Sequence, residues 1–274
     1  VTDLGTVFKG NTEITSFNEL KYFAELTTIG IDAFYGCSHL ASIAIPSSLT
    51  MVRKGAFKDC QSLSKIIVSD IAALCGIIYD GDDYNGDFPL GIAHHLYSDE
   101  DTEITELVIP EGVTKIEARA FRDAQYITSV TIPNSVTTIE AEAFRGMHRL
   151  TSINIPDGVT SLEPYTFQDC QSLMSINIPN SVTEIGDEAF EGCSSLESID
   201  IPDSVTKIGG RTLKGTFEGC SSLKSIDIPN SVTKIGWRAF SGCSSLKSID
   251  IPDSVTEIGV GVFEGCSSLK SIVI

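Results

Sequence analysis

Residues Ser222 to Cys243 read SLKSIDIPNSVTKIGWRAFSGC, and residues Ser245 to Cys266 repeat the pattern as SLKSIDIPDSVTEIGVGVFEGC. The second copy begins 23 residues after the first. The Ile-Pro pair of this unit occurs early at Pro46, and from Pro110 onward it recurs every 23 residues, with one spacing of 27, at Pro110, Pro133, Pro156, Pro179, Pro202, Pro229 and Pro252. A fixed period of this length is typical of a repeat architecture.

Each unit predicts a short strand followed by a turn. In residues 225–228 polar and apolar residues alternate, as in a half-buried strand whose two isoleucines point inward. Pro229 lacks an N–H group and ends the strand. Val232 and Ile235 form a second inward-facing segment, and Gly236 permits a bend. Since one unit cannot bury its own apolar face, the sequence predicts a mainly-β repeat solenoid: a right-handed superhelix with parallel strands, short second strands or turns on the other face, and few helices.

Phenylalanine recurs at one repeat position. In a stack of units, equivalent residues form ladders with a spacing of roughly 4.8 Å. We interpret this ladder as a buried spine rather than a functional aromatic stripe. It contains nine of the thirteen phenylalanines, namely Phe34, Phe57, Phe121, Phe144, Phe167, Phe190, Phe217, Phe240 and Phe263.

Seven of the eight cysteines share another repeat position, namely Cys37, Cys60, Cys170, Cys193, Cys220, Cys243 and Cys266. Ala124 and Met147 also occupy this position, which indicates an apolar environment. Strand spacing exceeds the Cβ separation of ~3.8 Å that a disulfide prefers, and no CxxC or His-Cys spacing indicates zinc. We therefore expect buried free thiols.

Composition excludes several classes of function. With 37 acidic and 19 basic residues, the formal net charge is -18, so nucleic acid and anionic membranes are not expected as partners. No apolar stretch approaches the ~20 residues of a transmembrane helix. The histidines lack a matching nucleophile, and no Gly-rich phosphate loop or GxSxG motif occurs. We expect no catalytic residues, no metal, no cofactor and no enzymatic activity.

A single solenoid domain is predicted over residues 1–274, with a cap-like region in residues 1–26 and regular repeats in residues 107–274. Ser16 and Glu19 have the spacing of a capping box, so a short helix over roughly 17–23 is expected to cover the open end of the stack. The final strand residues 272–274 have no capping element. We expect this end to be continued by further chain or covered by another chain, including end-to-end self-association.

Residues 70–106 form an irregular acidic interruption, with no Lys or Arg between Lys65 and Lys115. The pattern predicts helical turns at 71–75 and 89–94. It also predicts a hairpin that joins residues 95–98 to residues 103–109.

Part of this interruption resembles a calcium-binding loop. Asp83-x-Asn85-x-Asp87 begins like an EF-hand loop, but Phe88 stands where glycine is required and His94 where the closing glutamate belongs. A solvated acidic loop is the interpretation that we favour, and calcium binding is the alternative.

A four-residue insertion near 210–216 is another irregularity. Trp237, the only tryptophan, occupies almost the same repeat position in the following unit. An exposed Trp237 would be a candidate binding hot spot. Packing of Trp237 on Leu213 is the arrangement that we prefer.

The outward position between the two inward isoleucines forms a row along the predicted sheet: Ala44, Ile67, Val108, Thr131, Asn154, Asn177, Asp200, Asp227, Asp250 and Val273. This row is either a solvated sheet face or a polar recognition surface, since solenoids offer extended faces to partners. The candidate binding surface consists of Asn154, Asn177, Asp200, Asp227, Asp250 and Trp237.

The unit L-x-S-I-x-I-P-x-S-V-T-x-I-G-x-x-A-F-x-G-C, seen at 196–220 and 223–243, resembles the BspA-like, or Treponema-type, leucine-rich repeats. The resemblance covers almost the whole chain and includes Asp70–Cys75 and Ala93–Tyr97 of the interruption. It implies a leucine-rich-repeat superhelix in a surface or secreted protein of a host-associated bacterium. Ordinary leucine-rich repeats carry an asparagine after the strand where this unit has Pro-Asp/Asn-Ser, so no asparagine ladder is implied.

The resemblance also implies adhesion to host matrix proteins or contact with host immune proteins, and it assigns no catalytic or binding residue. We therefore expect an extracellular, non-enzymatic module that mediates host or intercellular interaction by binding protein. A passive spacer that presents other domains and a glycan-binding module are the alternatives.

Overall fold

The computed structural model describes residues 1–81, 88–210 and 212–273 and forms two compact units. Unit 1 comprises Val1–Thr105 and Ala120–Tyr126, and unit 2 comprises Glu106–Arg119 and Ile127–Ile274. The chain is a mainly-β solenoid of about 11 parallel-stranded turns with few helices. The predicted fold class is confirmed.

Unit 1 contains, in chain order, β1 (Ser16–Phe17), the 3-10 helix η1 (Asn18–Tyr22), β2 (Thr28–Ile29), β3 (Ser42–Ile45), β4 (Met51–Arg53), β5 (Lys65–Val68), α1 (Ile71–Cys75), β6 (Ile78–Asp80), α2 (Pro89–Ala93) and β7 (Leu96–Tyr97). Its first sheet has the order β1-β3-β5-β7 and its second sheet the order β2-β4-β6. The paired strands are parallel.

Unit 2 contains β8 (Glu106–Val108), β9 (Lys115–Ile116), β10 (Ser129–Thr131), β11 (Thr138–Ile139), β12 (Ser152–Asn154), β13 (Ser161–Leu162), β14 (Ser175–Asn177), β15 (Glu184–Ile185), β16 (Lys207–Ile208), β17 (Lys234–Ile235), β18 (Ser248–Asp250), β19 (Glu257–Ile258) and β20 (Ser271–Val273). The strands before the Ile-Pro pairs form two hydrogen-bonded sheets, β8-β10-β12-β14 and β18-β20, and isolated bridges at Asp200 and Asp227 lie between them in the chain. We call this face the first sheet of unit 2. The strands that precede the phenylalanine ladder form two further sheets, β9-β11 and β13-β15-β16-β17-β19. We call this face the second sheet of unit 2.

The phenylalanine spine is confirmed in both units. Eight of its nine members are fully buried, and Phe263 is half-buried. In unit 1 the rings of Phe34 and Phe57 stack at a centroid distance of 5.3 Å. In unit 2 the ring of Phe190 stacks on that of Phe217 at 5.4 Å with parallel planes. The repeat period thus places one aromatic ring on the next, and their burial provides the core.

The cysteines are free, as predicted, and all but Cys266 are buried. The structure adds a polar role for the thiols, because each of the seven ladder cysteines donates to the carbonyl oxygen of an earlier phenylalanine. For example, Cys193 Sγ lies 3.2 Å from the oxygen of Phe167. Burial raises the pKa of Cys60 to about 12, so this thiol stays protonated at neutral pH.

Each regular turn also requires left-handed backbone. One ladder of positive φ immediately precedes the cysteine position and contains Gly36, Asp59, Asp123, Gly146, Asp169, Gly192, Gly219, Gly242 and Gly265. A second ladder contains Asp32, Gly55, Arg119, Glu142, Tyr165, Glu188, Arg238 and Gly261. Gly236, which follows β17 at the start of a turn, belongs to neither ladder of positive φ. A Cβ atom on Gly236 would lie 2.8 Å from the backbone of Gly210, and glycine is needed there for close approach of two turns.

The N-terminal region contains the predicted short helix but not the predicted capping box. The helix is η1, and Phe17 is its N-cap residue without a side-chain cap bond. Ser16 instead lies in β1 and pairs with Ser42 of β3. Helix η1 contacts β3, and Leu20 within it is fully buried.

The interruption folds largely as predicted. Helix α1 begins after Asp70, whose Oδ1 accepts a hydrogen bond from the Ala73 N–H at 3.1 Å. Helix α2 ends at Ala93 and is followed by His94, which has a left-handed backbone conformation. A short antiparallel bridge joins Tyr97 to Glu103. The predicted second arm of the hairpin is wrong beyond this point, because β8 pairs in parallel with β10. The calcium-like motif at 83–87 lies outside the described residues.

Candidate functional site

The first sheet of unit 2 presents a row of exposed amide and carboxylate side chains on its outer face. We call this row the polar strip, and it consists of Asn154, Asn177, Asp200, Asp227 and Asp250. Parallel pairing places Asn154 beside Asn177, Asn177 beside Asp200, and Asp200 beside Asp227. The sequence-predicted residues of the strip therefore lie on five successive turns of one face.

Few protein contacts engage the polar strip. Asn177 Nδ2 donates to Asn154 Oδ1 at 3.3 Å. Among the described residues, the carboxylates of Asp200, Asp227 and Asp250 have no hydrogen-bonding or ion-pair partner. Lys224, the lysine nearest to Asp227 in the sequence, pairs instead with Glu197, whose Oε2 lies 2.6 Å from the lysine Nζ.

The same repeat position is not a surface in unit 1. Ala44 and Ile67 were predicted to point outward into solvent, but their exposed fractions are only 1% and 4%. Their strands contact the inserted elements, since η1 contacts β3 and α2 contacts β5. The predicted row is therefore not one continuous exposed surface. Its polar members all belong to unit 2.

Trp237 lies apart from the polar strip, because it follows β17 of the second sheet. The predicted packing on Leu213 is wrong: the Leu213 side chain is 83% exposed, which leaves little surface for an indole to cover. Trp237 itself is 41% exposed. It borders a cavity of about 350 Å³ together with Gly210, Gly236 and Gly259.

The insertion supports a buried polar cluster that sequence reasoning missed. Gln168 is buried, and its Nε2 donates to Glu188 Oε2 at 3.1 Å and to a carboxylate oxygen of Glu191. The insertion supplies Lys214, whose Nζ lies 2.9 Å from Glu191 Oε1. Burial and the nearby Glu191 carboxylate raise the pKa of Glu188. The only sequence signal for this cluster was a lysine placed in an insertion beside acidic turns.

Neither a group of metal ligands nor a membrane-spanning helix occurs in the described part of the chain. Residues 1–81, 88–210 and 212–273 contain no group of three or more His, Cys, Asp or Glu side chains able to hold a metal ion. Within the same ranges no helix is long and apolar enough to cross a membrane.

Stacked turns of about 23 residues, with parallel strands and a buried phenylalanine spine, define a leucine-rich-repeat solenoid. The BspA type leucine rich repeat region matches six copies in this chain, over residues 6–75, 92–216 and 213–274. The chain belongs to this family, whose repeats are typically non-catalytic. Comparison with the curated proteins finds no match.

Several solved bacterial structures are similar. A leucine-rich-repeat protein of T. pallidum is 30% identical with a TM-score of 0.50, over 62% of this chain and 69% of that one. A leucine-rich-repeat protein of Eubacterium ventriosum is 28% identical with a TM-score of 0.58, over 90% of this chain and 63% of that one. A leucine rich cell surface protein of Faecalibacterium prausnitzii is 28% identical with a TM-score of 0.49, over 94% and 82%.

Proposed function

We propose that this chain is an extracellular, non-enzymatic binding module whose polar strip binds a partner protein with a basic surface. The observation that carries the proposal is the alignment of three unpartnered aspartates on neighbouring turns. Like charges on adjacent strands destabilise a sheet, and no described lysine or arginine forms an ion pair with these three carboxylates. A basic partner would remove this repulsion on binding.

The geometry of the strip suits an extended contact. Five successive turns at a spacing of about 4.8 Å present the strip over roughly 19 Å. The neighbouring outward position carries serine in these turns, for example Ser175, Ser198 and Ser225. Serine is short, so a partner can approach the sheet closely. The net charge of -18 would also accelerate the association of a basic protein at low ionic strength.

Location and partner class rest on the family. Its members are typically surface or secreted proteins of host-associated bacteria, which makes host matrix and immune proteins the first partners to test. A passive spacer that presents other domains remains the competing hypothesis, and it requires no ligand for the strip.

The test compares two triple variants with the same charge change. Asp200→Ser, Asp227→Ser and Asp250→Ser remove the carboxylates of the strip. Asp157→Ser, Asp203→Ser and Asp253→Ser remove three exposed carboxylates from the turns after the prolines. Binding to immobilised matrix proteins would be measured by surface plasmon resonance at several salt concentrations.

We expect the strip variant to bind roughly tenfold more weakly and the turn variant to keep its affinity within about twofold. Equal losses in both variants would mean that only net charge matters and would contradict a role for the strip. An unchanged strip variant would exclude the strip as the binding surface. Absence of binding by the unmodified chain would favour the passive spacer.

A further inference from the structure

The second sheet of unit 2 carries a groove that is separate from the polar strip. Its larger cavity, of about 350 Å³, is bordered by Trp237 and by three glycines of neighbouring turns. A Cβ atom on Gly259 would lie 2.4 Å from the backbone nitrogen of Trp237, so this glycine is required for the close approach of the two turns. The absence of side chains at Gly210, Gly236 and Gly259 leaves a depression beside the indole.

The packing of the fold does not explain Trp237. The equivalent residues of the other turns of unit 2 are small or short: Ala118, Ala141, Pro164, Asp187, Gly210 and Val260. The core position of this turn is already filled by Phe240, which is fully buried. The indole is partly exposed, and its N–H has no partner among the described residues. A large aromatic side chain therefore faces the groove without an internal role.

The polar lining of the cavity combines a donor and an acceptor. Lys234 Nζ lies 3.1 Å from Glu257 Oε2, and both side chains border the cavity. Ligand sites typically place a few polar groups around an apolar surface. A lysine donates and a carboxylate accepts hydrogen bonds, which together match the hydroxyl groups of a sugar, while the indole matches its C–H face. The pair is neutral and the chain is strongly acidic, which favours an uncharged sugar over an anionic one.

The groove extends beyond the cavity beside Trp237. A second cavity of about 240 Å³ is lined by Pro164, Glu184, Asp187, Lys207 and Gly209. Gly209 borders this cavity and the adjacent Gly210 borders the first, so the two cavities adjoin on the sheet β13-β15-β16-β17-β19. Five strands at a spacing of about 4.8 Å extend over roughly 19 Å. We infer that this groove binds a neutral linear oligosaccharide that stacks on Trp237 and runs along the turns.

Trp237 is the only tryptophan among seven tyrosines, so fluorescence excited selectively in tryptophan reports on this site alone. The probes are four neutral tetrasaccharides: cellotetraose, xylotetraose, mannotetraose and tetraacetylchitotetraose. We expect a saturable change of fluorescence with at least one probe, and calorimetry should give an affinity that falls roughly tenfold or more in Trp237→Ala. Circular dichroism would confirm that the variant folds.

Two variants serve as controls. Tyr22→Ala removes an exposed aromatic side chain that borders a cavity in unit 1, and the triple Asp→Ser variant of the polar strip tests the other face. Both should bind the sugar as the parent does. Three outcomes would overturn the inference: no response to any probe at about 10 mM, unchanged affinity in Trp237→Ala, or a response only to a neutral threonine-rich decapeptide, which would identify a peptide groove.

Discussion

One repeat position has opposite environments in the two units. In unit 2 it carries Asn177 and Asp227, which are exposed on the face of the first sheet. In unit 1 it carries Ala44 and Ile67, which are buried. The sequence pattern is the same in both units, because inward-facing isoleucine or valine residues flank this position on either side. The difference comes from η1 and α2, which contact the strands of unit 1. Irregular segments therefore decide where the repeat face is available for binding.

The sharpest test places the same carboxylate at this position in each unit. Ile67→Asp buries a charge without a partner and removes a buried isoleucine, so we expect a loss of about 5 kcal/mol in the free energy of unfolding. Asn177→Asp adds a charge to an exposed face and should cost less than about 0.5 kcal/mol. Urea titration followed by circular dichroism measures both. A cost below about 1 kcal/mol for Ile67→Asp would mean that unit 1 also has an open face.

Substitutions in the phenylalanine spine test whether the cores of the two units also differ. Phe57 in unit 1 and Phe167 in unit 2 are both fully buried. Each change to alanine should lower the free energy of unfolding by about 4 kcal/mol, through lost burial and the cavity that remains. The same urea titration would show whether the costs agree. A difference of more than about 2 kcal/mol would show that the units differ in their cores as well as on their faces.

A smaller effect is expected from the buried polar cluster of Gln168, Glu188, Glu191 and Lys214 in unit 2. Because burial raises the pKa of Glu188, the folded state binds this proton more tightly than the unfolded state does. The ionised group therefore destabilises the fold at neutral pH, and this effect is relieved as the pH falls through the raised pKa toward the ordinary value.

The variant Glu188→Gln removes this titration. We expect its melting temperature to exceed that of the parent at pH 7 and the difference to shrink as the pH is lowered to 5. Circular dichroism melts at several pH values provide the measurement, and Glu111→Gln, at an exposed turn residue, is the control. A difference that is constant with pH, or that grows toward pH 5, would contradict the raised pKa.

Much of the fold could be predicted because the repeat provides many copies of each observation. The nine-membered phenylalanine ladder and the seven-membered cysteine ladder identify core positions that a single unit would leave ambiguous. The hydrogen bonds from the thiols to backbone carbonyls could not be predicted in this way, because they join residues of different turns through side-chain direction. The close approach of Gly236 to the backbone of Gly210 could likewise not be predicted, since contact between two backbones has no local sequence signal.

The candidate binding surfaces also have some features that the sequence predicted and others that it could not predict. Alternation within each strand predicted that Asn154, Asp200 and Asp227 point outward, and in unit 2 they do. The same alternation was wrong for Ile67, because burial depends on which other segment packs over a face. Trp237 was recognised as unusual from its uniqueness, whereas its groove depends on glycines of neighbouring turns.

By itself the sequence determined the period, the strand positions, the buried spine and the family, because each follows from the spacing of apolar residues along the chain. Only the tertiary structure decided which outward positions remain exposed and that Lys214 pairs with Glu191. It also decided that the surroundings of Trp237 form a groove. These properties depend on distances between residues of different turns and inserted segments, and a periodic pattern contains no information about what packs against it.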